Sequence, residues 1–212
     1  MTKLKNVFFM AAMAASVSVF SGCGDDGDPS QGEGQNSSAF DGKIQVTGGD
    51  SLNSKIDFVK AFVGIHTANG YDYEVASAPY ANGGFTLQLS ETMPALNKFR
   101  LPESITVSDT TANVAESEIR AYKGATEVGA FYYGYESDDF ASRAIFMYAD
   151  KDVSVTGSGL RDNEVLTYRI SLKRGWNKAY GKWIKNTTPS TREYSSTEPS
   201  GLKWIFRSNN NF

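Results

Sequence analysis

"GFTLQLS", residues Gly84–Ser90, sets Phe85, Leu87 and Leu89 on one side of an extended chain and Thr86, Gln88 and Ser90 on the other. An apolar residue at every second position marks a strand with one face in a core and the other in water. The period recurs: "DVSVTG" brings out Val153 and Val155, and "YRISLKRG" brings out Tyr168, Ile170 and Leu172. "KIDFVKAFVGI" (Lys55–Ile65) and "RAIFMY" (Arg143–Tyr148) are apolar on both faces, the pattern of central or doubly packed strands. Turn residues punctuate the chain at Gly48-Gly49, Asn69-Gly70, Asn82-Gly83-Gly84, Gly124, Asp138-Asp139, Gly157–Gly159 and Gly175. "APYANGGFTL" reads as a tight hairpin, because Asn and Gly accept the positive backbone angles such a turn needs. Helical signal is confined to "PALNKF" (Pro94–Phe99), one turn opened by proline. The pattern predicts an all-β fold: ten or so strands in an antiparallel β-sandwich over residues 43–212. A domain of that size buries roughly 70% of its unfolded surface and needs no covalent staple. The stretch around Pro102 is where two subdomains would part, although one continuous sandwich is the simpler arrangement.

The N-terminus reads as an address. Lys3 and Lys5 precede an uncharged run, "VFFMAAMAASVSVF" (Val7–Phe20), followed by Ser21, Gly22 and Cys23. The run has the length of a signal-peptide apolar region and falls short of the ~20 residues a spanning helix needs. Residues 1–22 are therefore expected to be a cleaved signal peptide. "FSGC" (Phe20–Cys23) resembles the lipobox of bacterial lipoproteins, with Phe20 where Leu or Val is more usual. The resemblance implies cleavage before Cys23 and acylation of its thiol and new amino group, and more than one acyl chain makes a stable membrane anchor. Cys23 is the only cysteine, so no internal disulfide is available to the exported chain.

From Gly24 to Gly42 the chain carries five acids (Asp25, Asp26, Asp28, Glu33, Asp41) and no base. Such a segment cannot bury enough apolar surface to fold, so residues 23–42 are expected to be a disordered acidic tether. The acids directly after Cys23 resemble the surface-export signal of Bacteroidota lipoproteins, which implies an outer-membrane, lipid-anchored protein facing the outside of a Gram-negative cell. Similarly, "VASAPYANGGFTLQL" resembles prealbumin-like or immunoglobulin-like modules. "YADKDVSVTG" with "LKRGWNKAYGKW" resembles secreted lipoproteins of the same bacteria. None of these likenesses carries a catalytic motif.

Charge narrows the partners. The chain has 21 bases and 24 acids; without Lys3, Lys5 and the five tether acids, 19 of each remain. A domain of zero formal charge has no bulk attraction for nucleic acid or anionic lipid. His66 is the only histidine, which leaves no histidine-rich metal site. It reads as a residue at a strand end, and no nucleophile elbow accompanies it. Paired acids are the enzyme candidates, since glycosidases set two carboxyls about a sugar bond. Glu136 with Asp138 and Asp139 in "YESDDF", and Glu116 with Glu118 in "AESEIRAY", have the spacing, but polar strand faces and turns produce it too. Asp150 and Asp152 are the calcium candidate, two oxygen donors where six to eight are required.

Aromatic residues are the stronger signal: 11 Tyr, 13 Phe and 3 Trp. In "GAFYYGYES" the period places Phe131, Tyr133 and Tyr135 on one face and Tyr132 with Glu136 on the other. Flat rings stack on sugars, and Tyr and Trp add a polar tip. Tyr132, Tyr135, Trp183 and Trp204 are thus candidate ligand-binding residues, whereas Trp176 reads as core. Phe212 ends the chain on an aromatic, as barrel proteins do, but barrels carry no lipid anchor. The expectation is a surface binding protein for a polysaccharide or host glycan, working without metal or cofactor and held to the membrane through Cys23. The alternative is an assembly lipoprotein that pairs a strand edge with another envelope protein, and glycoside hydrolysis ranks behind both.

Overall fold

A computed structural model describes residues 42–65, 71–93, 96–99 and 101–209. The predictions on Cys23, the tether, His66 and Phe212 lie outside the described residues. Fourteen strands run through them, in chain order β1 (Ile44–Gln45), β2 (Phe58–Ile65), β3 (Tyr71–Pro79), β4 (Gly84–Phe85), β5 (Asn97–Lys98), β6 (Ile105–Val107) and β7 (Asn113–Lys123). They continue with β8 (Thr126–Glu136), β9 (Phe140–Ala149), β10 (Val153–Arg161), β11 (Glu164–Leu172), β12 (Gly175–Ile184), β13 (Ser190–Ser195) and β14 (Lys203–Ser208). One 3-10 turn, Gly49–Leu52, is the only helix among the described residues. The fold is the all-β sandwich that the periodicity predicts.

β1 and β4 pair with each other, and the other twelve strands join in the order β3-β2-β7-β8-β9-β12-β13-β11-β10-β6, with β14 added to β8 and β5 to β7. The doubly apolar stretches supply β2 and β9, both central in the strand order as expected, but only one face of β2 is buried: Phe58, on the other, is 45% exposed. Two cores result. One gathers Ile56, Val59, Ala61, Val63, Phe85, Leu87, Ile119 and Phe131; the other gathers Val153, Val155, Leu166, Tyr168, Ile170 and Leu172. Leu166 is wholly enclosed, and a side chain of that kind contributes about 1.5–3 kcal/mol by leaving water.

Three local expectations are corrected. The inward set of "GFTLQLS" is right, with Phe85 and Leu87 buried, but only Gly84–Phe85 joins a ladder, and the rest crosses the core until the Ser90 amide donates to the Val75 carbonyl at 2.9 Å. Gly157–Gly159 is not a turn but the middle of β10. A Cβ on Gly157 would meet the Ser104 carbonyl oxygen at 2.9 Å, and one on Gly159 would meet the Pro102 side chain at 2.8 Å. These glycines let the segment from Pro102 into β6 lie flat on β10, so Pro102 is a packing residue rather than a boundary. The reversal comes later, at Asp162-Asn163, both with positive φ. Finally, part of "PALNKF" is strand β5 rather than helix; Pro94 and Ala95 lie outside the described residues. The Asn82-Gly83 hairpin is present as expected, with φ of 52° and 70° and reciprocal bonds between Ala81 and Gly84.

The sheet departs from simple antiparallel order at two places. β13 lies between β12 and β11, antiparallel to the first and parallel to the second. And the sheet forks at β7, which pairs with β9 over Val114–Ser117 and with β8 over Ile119–Lys123. β8 then crosses to β9 over Gly134–Glu136.

Candidate functional site

Register brings one file of side chains together across five strands. Gly181 of β12 stands opposite Arg143 of β9 and Tyr194 of β13, while Trp183 stands opposite Arg192. Residues directly opposed across a ladder share a face. The Arg143 guanidinium carbon lies 4.5 Å from the ring centre of Tyr132 on β8 and 5.8 Å from that of Trp183. Arg192 approaches Trp183 from the other strand at 5.3 Å and donates to the Tyr194 hydroxyl at 3.3 Å. Tyr194 in turn stacks on Tyr168 of β11, 4.6 Å between centres. The result is a belt in which arginines alternate with aromatic rings, each cation resting on a ring's electron-rich face.

The charges along this belt are unequally spent. Arg192 pairs with Glu164 at 3.0 Å and Arg207, which also approaches Tyr132, pairs with Glu136 at 2.7 Å. Arg120 pairs with Asp72 and Glu118. Arg143 makes no ion pair with any described residue. Its five N–H donors are free while its flat face is held by the rings.

Beside the belt lie two cavities. The larger, about 660 Å³, runs from Phe62 and Phe99 to Arg161, Tyr168 and Tyr194. The smaller, about 380 Å³, sits between Tyr132 and Trp183 at the fork. They share Glu116, Glu118, Arg120 and Ile145 as walls, so the β7 residues form a ridge within one groove. At the fork Tyr132 and Tyr133 pair only with β14, and Ala144 and Ile145 only with β12, which leaves their other sides without a ladder partner. Ser117, 8% exposed, stands opposite Phe146 and so turns its side chain to the first core, away from the face of Arg143; its Oγ has no hydrogen-bond partner.

Glu116 faces both cavities and is bonded to no described residue. Although Glu116 is exposed in the groove, the protein packed around it pushes its carboxyl above the usual range and the neighbouring Glu118 adds to this, while Arg192 opposes it. Of the acid pairs considered for hydrolysis, only Glu116 and Glu118 face a cleft, and Arg120 holds Glu118 at 2.7 Å. Glu136 instead accepts from Lys185 and Arg207, and Asp138 and Asp139 form the β8–β9 turn.

The four aromatic candidates therefore separate. Tyr132 and Trp183 share the belt through Arg143. Tyr135 is 44% exposed with its ring against Phe140, on the opposite face from Tyr132. Trp204 packs into the first core, stacked on Phe146 at 5.8 Å and edge-on to Phe85, so its faces serve packing. Trp176 is also a packing residue, and its indole N–H donates to the Ser90 carbonyl at 2.9 Å. The calcium candidates point to different partners. Asp150 accepts from the Asn113 amide and side chain, and Asp152 accepts from the Arg174 amide and Lys173. Among the described residues no three His, Cys, Asp or Glu side chains gather where they could hold a metal.

Sequence reading missed Arg143, although its signal was present: it is the one charged residue in a central strand that is otherwise apolar but for Ser142. No protein-family model, curated protein or solved structure matches this chain, so its function is read from the geometry.

Proposed function

We propose that this chain is a glycan-binding protein of the bacterial cell surface, anchored by lipid on Cys23 to the outer membrane, and that the groove along Tyr132, Arg143 and Trp183 is its binding site. The supporting observation is that flat rings, an unpaired guanidinium and an unpaired carboxyl (Glu116) line one groove. Sugars present apolar C–H faces that stack on aromatic rings and hydroxyls that bond to charged planar groups. Concave sites of a few hundred Å³ with few convergent polar groups are the usual form of ligand sites. No resident cofactor or metal is called for in this reading.

The test is thermal unfolding of the purified full chain against a glycan panel. A ligand at ~100 times its dissociation constant adds ~2.7 kcal/mol, which moves the midpoint by several degrees at this size. The shift is expected to vanish in Tyr132→Ala and Trp183→Ala and to persist in Tyr135→Ala. A flat panel would favour the second reading, assembly through a strand edge. One observation supports that reading: β3 is a nine-residue strand paired only with β2 among the described residues, an edge open to a partner's strand.

A further inference from the structure

Resting on the glycan reading, we propose that the groove takes a neutral linear polysaccharide along its length, several sugar units at once. Length is the first observation. The two cavities, about 660 and 380 Å³, meet at the shared walls Glu116, Glu118, Arg120 and Ile145. The belt beside them runs from Tyr132 on β8 over β9, β12 and β13 to Tyr168 on β11. Four strand spacings span ~19 Å, more than one sugar ring covers.

Charge is the second observation. The ionic groups facing the groove are set against one another: Arg120 with Asp72 and Glu118, and Arg192 with Glu164. Arg143, which no described carboxylate neutralises, shares the groove with Glu116, which no described cation bonds. Such a lining offers donors and acceptors side by side. A sugar hydroxyl both donates and accepts, so a neutral sugar uses the two kinds, whereas an acidic one meets Glu116 as a like charge.

The fork is the third. Tyr132 and Tyr133 on one side and Ala144 and Ile145 on the other border the smaller cavity, each pair with a backbone edge that lacks a ladder partner. Backbone N–H and C=O groups are obligatory bonding groups, and here they stand ready for uncharged hydroxyls. A sugar unit seated at the fork leaves its neighbours to continue over the shared β7 wall into the larger cavity.

The experiment is a length series. Cello-, manno- and malto-oligosaccharides of one to six units are titrated into the full chain by calorimetry, with their C6-oxidised uronate forms as the charged comparison. For at least one neutral series, affinity is expected to rise tenfold or more between two units and five, as added units reach further aromatic and hydrogen-bonding groups. The uronate forms are expected to bind more weakly at every length. Tyr194→Ala, on the wall of the larger cavity, is expected to remove most of the rise and to leave the two-unit affinity within twofold. Tyr194→Phe keeps the ring and is expected to keep the rise. The unfolding midpoint of each variant checks folding, and the length series on the unaltered chain stands without them. Affinity independent of length, tighter binding of the uronate forms, or a rise untouched by Tyr194→Ala overturns the inference and leaves glycan binding standing. Binding of nothing in either set overturns both.

Discussion

Gly181 is where the belt can be disturbed without dismantling the sheet. Its missing side chain makes room for the Trp183 indole. A Cβ built there would stand 2.9 Å from Trp183 Cη2 and 3.2 Å from both Trp183 Cζ3 and Ile145 Cδ1. Carbon atoms settle at about 3.5–4.0 Å, so Gly181→Ala must push the ring tip away by roughly 0.6 Å. Both obstacles are ends of side chains rather than backbone, so the cost is expected at the low end for overpacking, about 1 kcal/mol. That lowers the midpoint by ~2–4 °C in a domain of this size. A gap of that width forfeits a quarter to a half of a dispersion contact, and the ring's stacking on a ligand is expected to weaken about twofold. Two assays report it: near-ultraviolet circular dichroism for the indole's setting, and thermal unfolding of Gly181→Ala, Trp183→Phe and the double variant as a cycle. The two substitutions are expected to couple, because Phe lacks the outer ring that the methyl group strikes. A loss above ~10 °C, or strictly additive effects, would refute the seating of the indole on Gly181.

Other expectations address the cores and the charges. Leu166→Ala, at a wholly enclosed site, is expected to cost about 2–5 kcal/mol by denaturant unfolding. Gly157→Val is expected to strip β6 from β10, since a side chain there meets the Ser104 carbonyl at 2.9 Å on a backbone with φ of +124°; hydrogen exchange over Ile105–Val107 reads it. Glu116 has a raised carboxyl pKa in the folded chain, so its protonation favours folding. That contribution is full below the unfolded value of ~4.3 and is lost as pH rises through the higher folded value. Glu116→Gln is therefore expected to stabilise the chain at pH 7 and to make little difference at pH 4, by urea titration at both. Glu198 works in the opposite sense. It accepts from the hydroxyls of Tyr180 and Tyr133, bonds that with nearby Lys178 hold it below its usual pKa. Its stabilisation is present at neutral pH and lost as pH falls through that depressed value, and Glu198→Gln is expected to cost about 1 kcal/mol at pH 7.

How far the residues disclosed the fold and the groove depended on whether the cause was local. The strand faces of Val153–Val155 and Tyr168–Leu172, the central positions of β2 and β9, and the Asn82-Gly83 turn all come from period and turn chemistry within a few residues. Gly157 and Gly159 did not, because a glycine that permits close approach looks the same in sequence as one that turns the chain. Trp204 and Trp183 show the same limit for the site: each stands between a lysine and an isoleucine, yet one completes a core and the other lies on the belt. That choice is made by Phe85 and Phe146 in the first case and by Arg143 and Arg192 in the second, nearly all of them distant in sequence. The pairing of Glu116 with a cleft was available as spacing alone; its isolation from every described cation bond was not.

The insertion of β13 between β12 and β11 also sets an order in time. Both neighbours are made before it, and until Ser190–Ser195 arrives they border a slot one strand wide with two rows of unsatisfied backbone groups. No fragment ending before Ser190 can close the sheet, and an open slot accepts any extended strand, including the same strand from a second copy. Arg192 and Tyr194 enter on that strand. The belt is therefore incomplete in every chain that stops short of β13, and the Arg192 and Tyr194 ring contacts double as a report that the slot has been filled by its own strand.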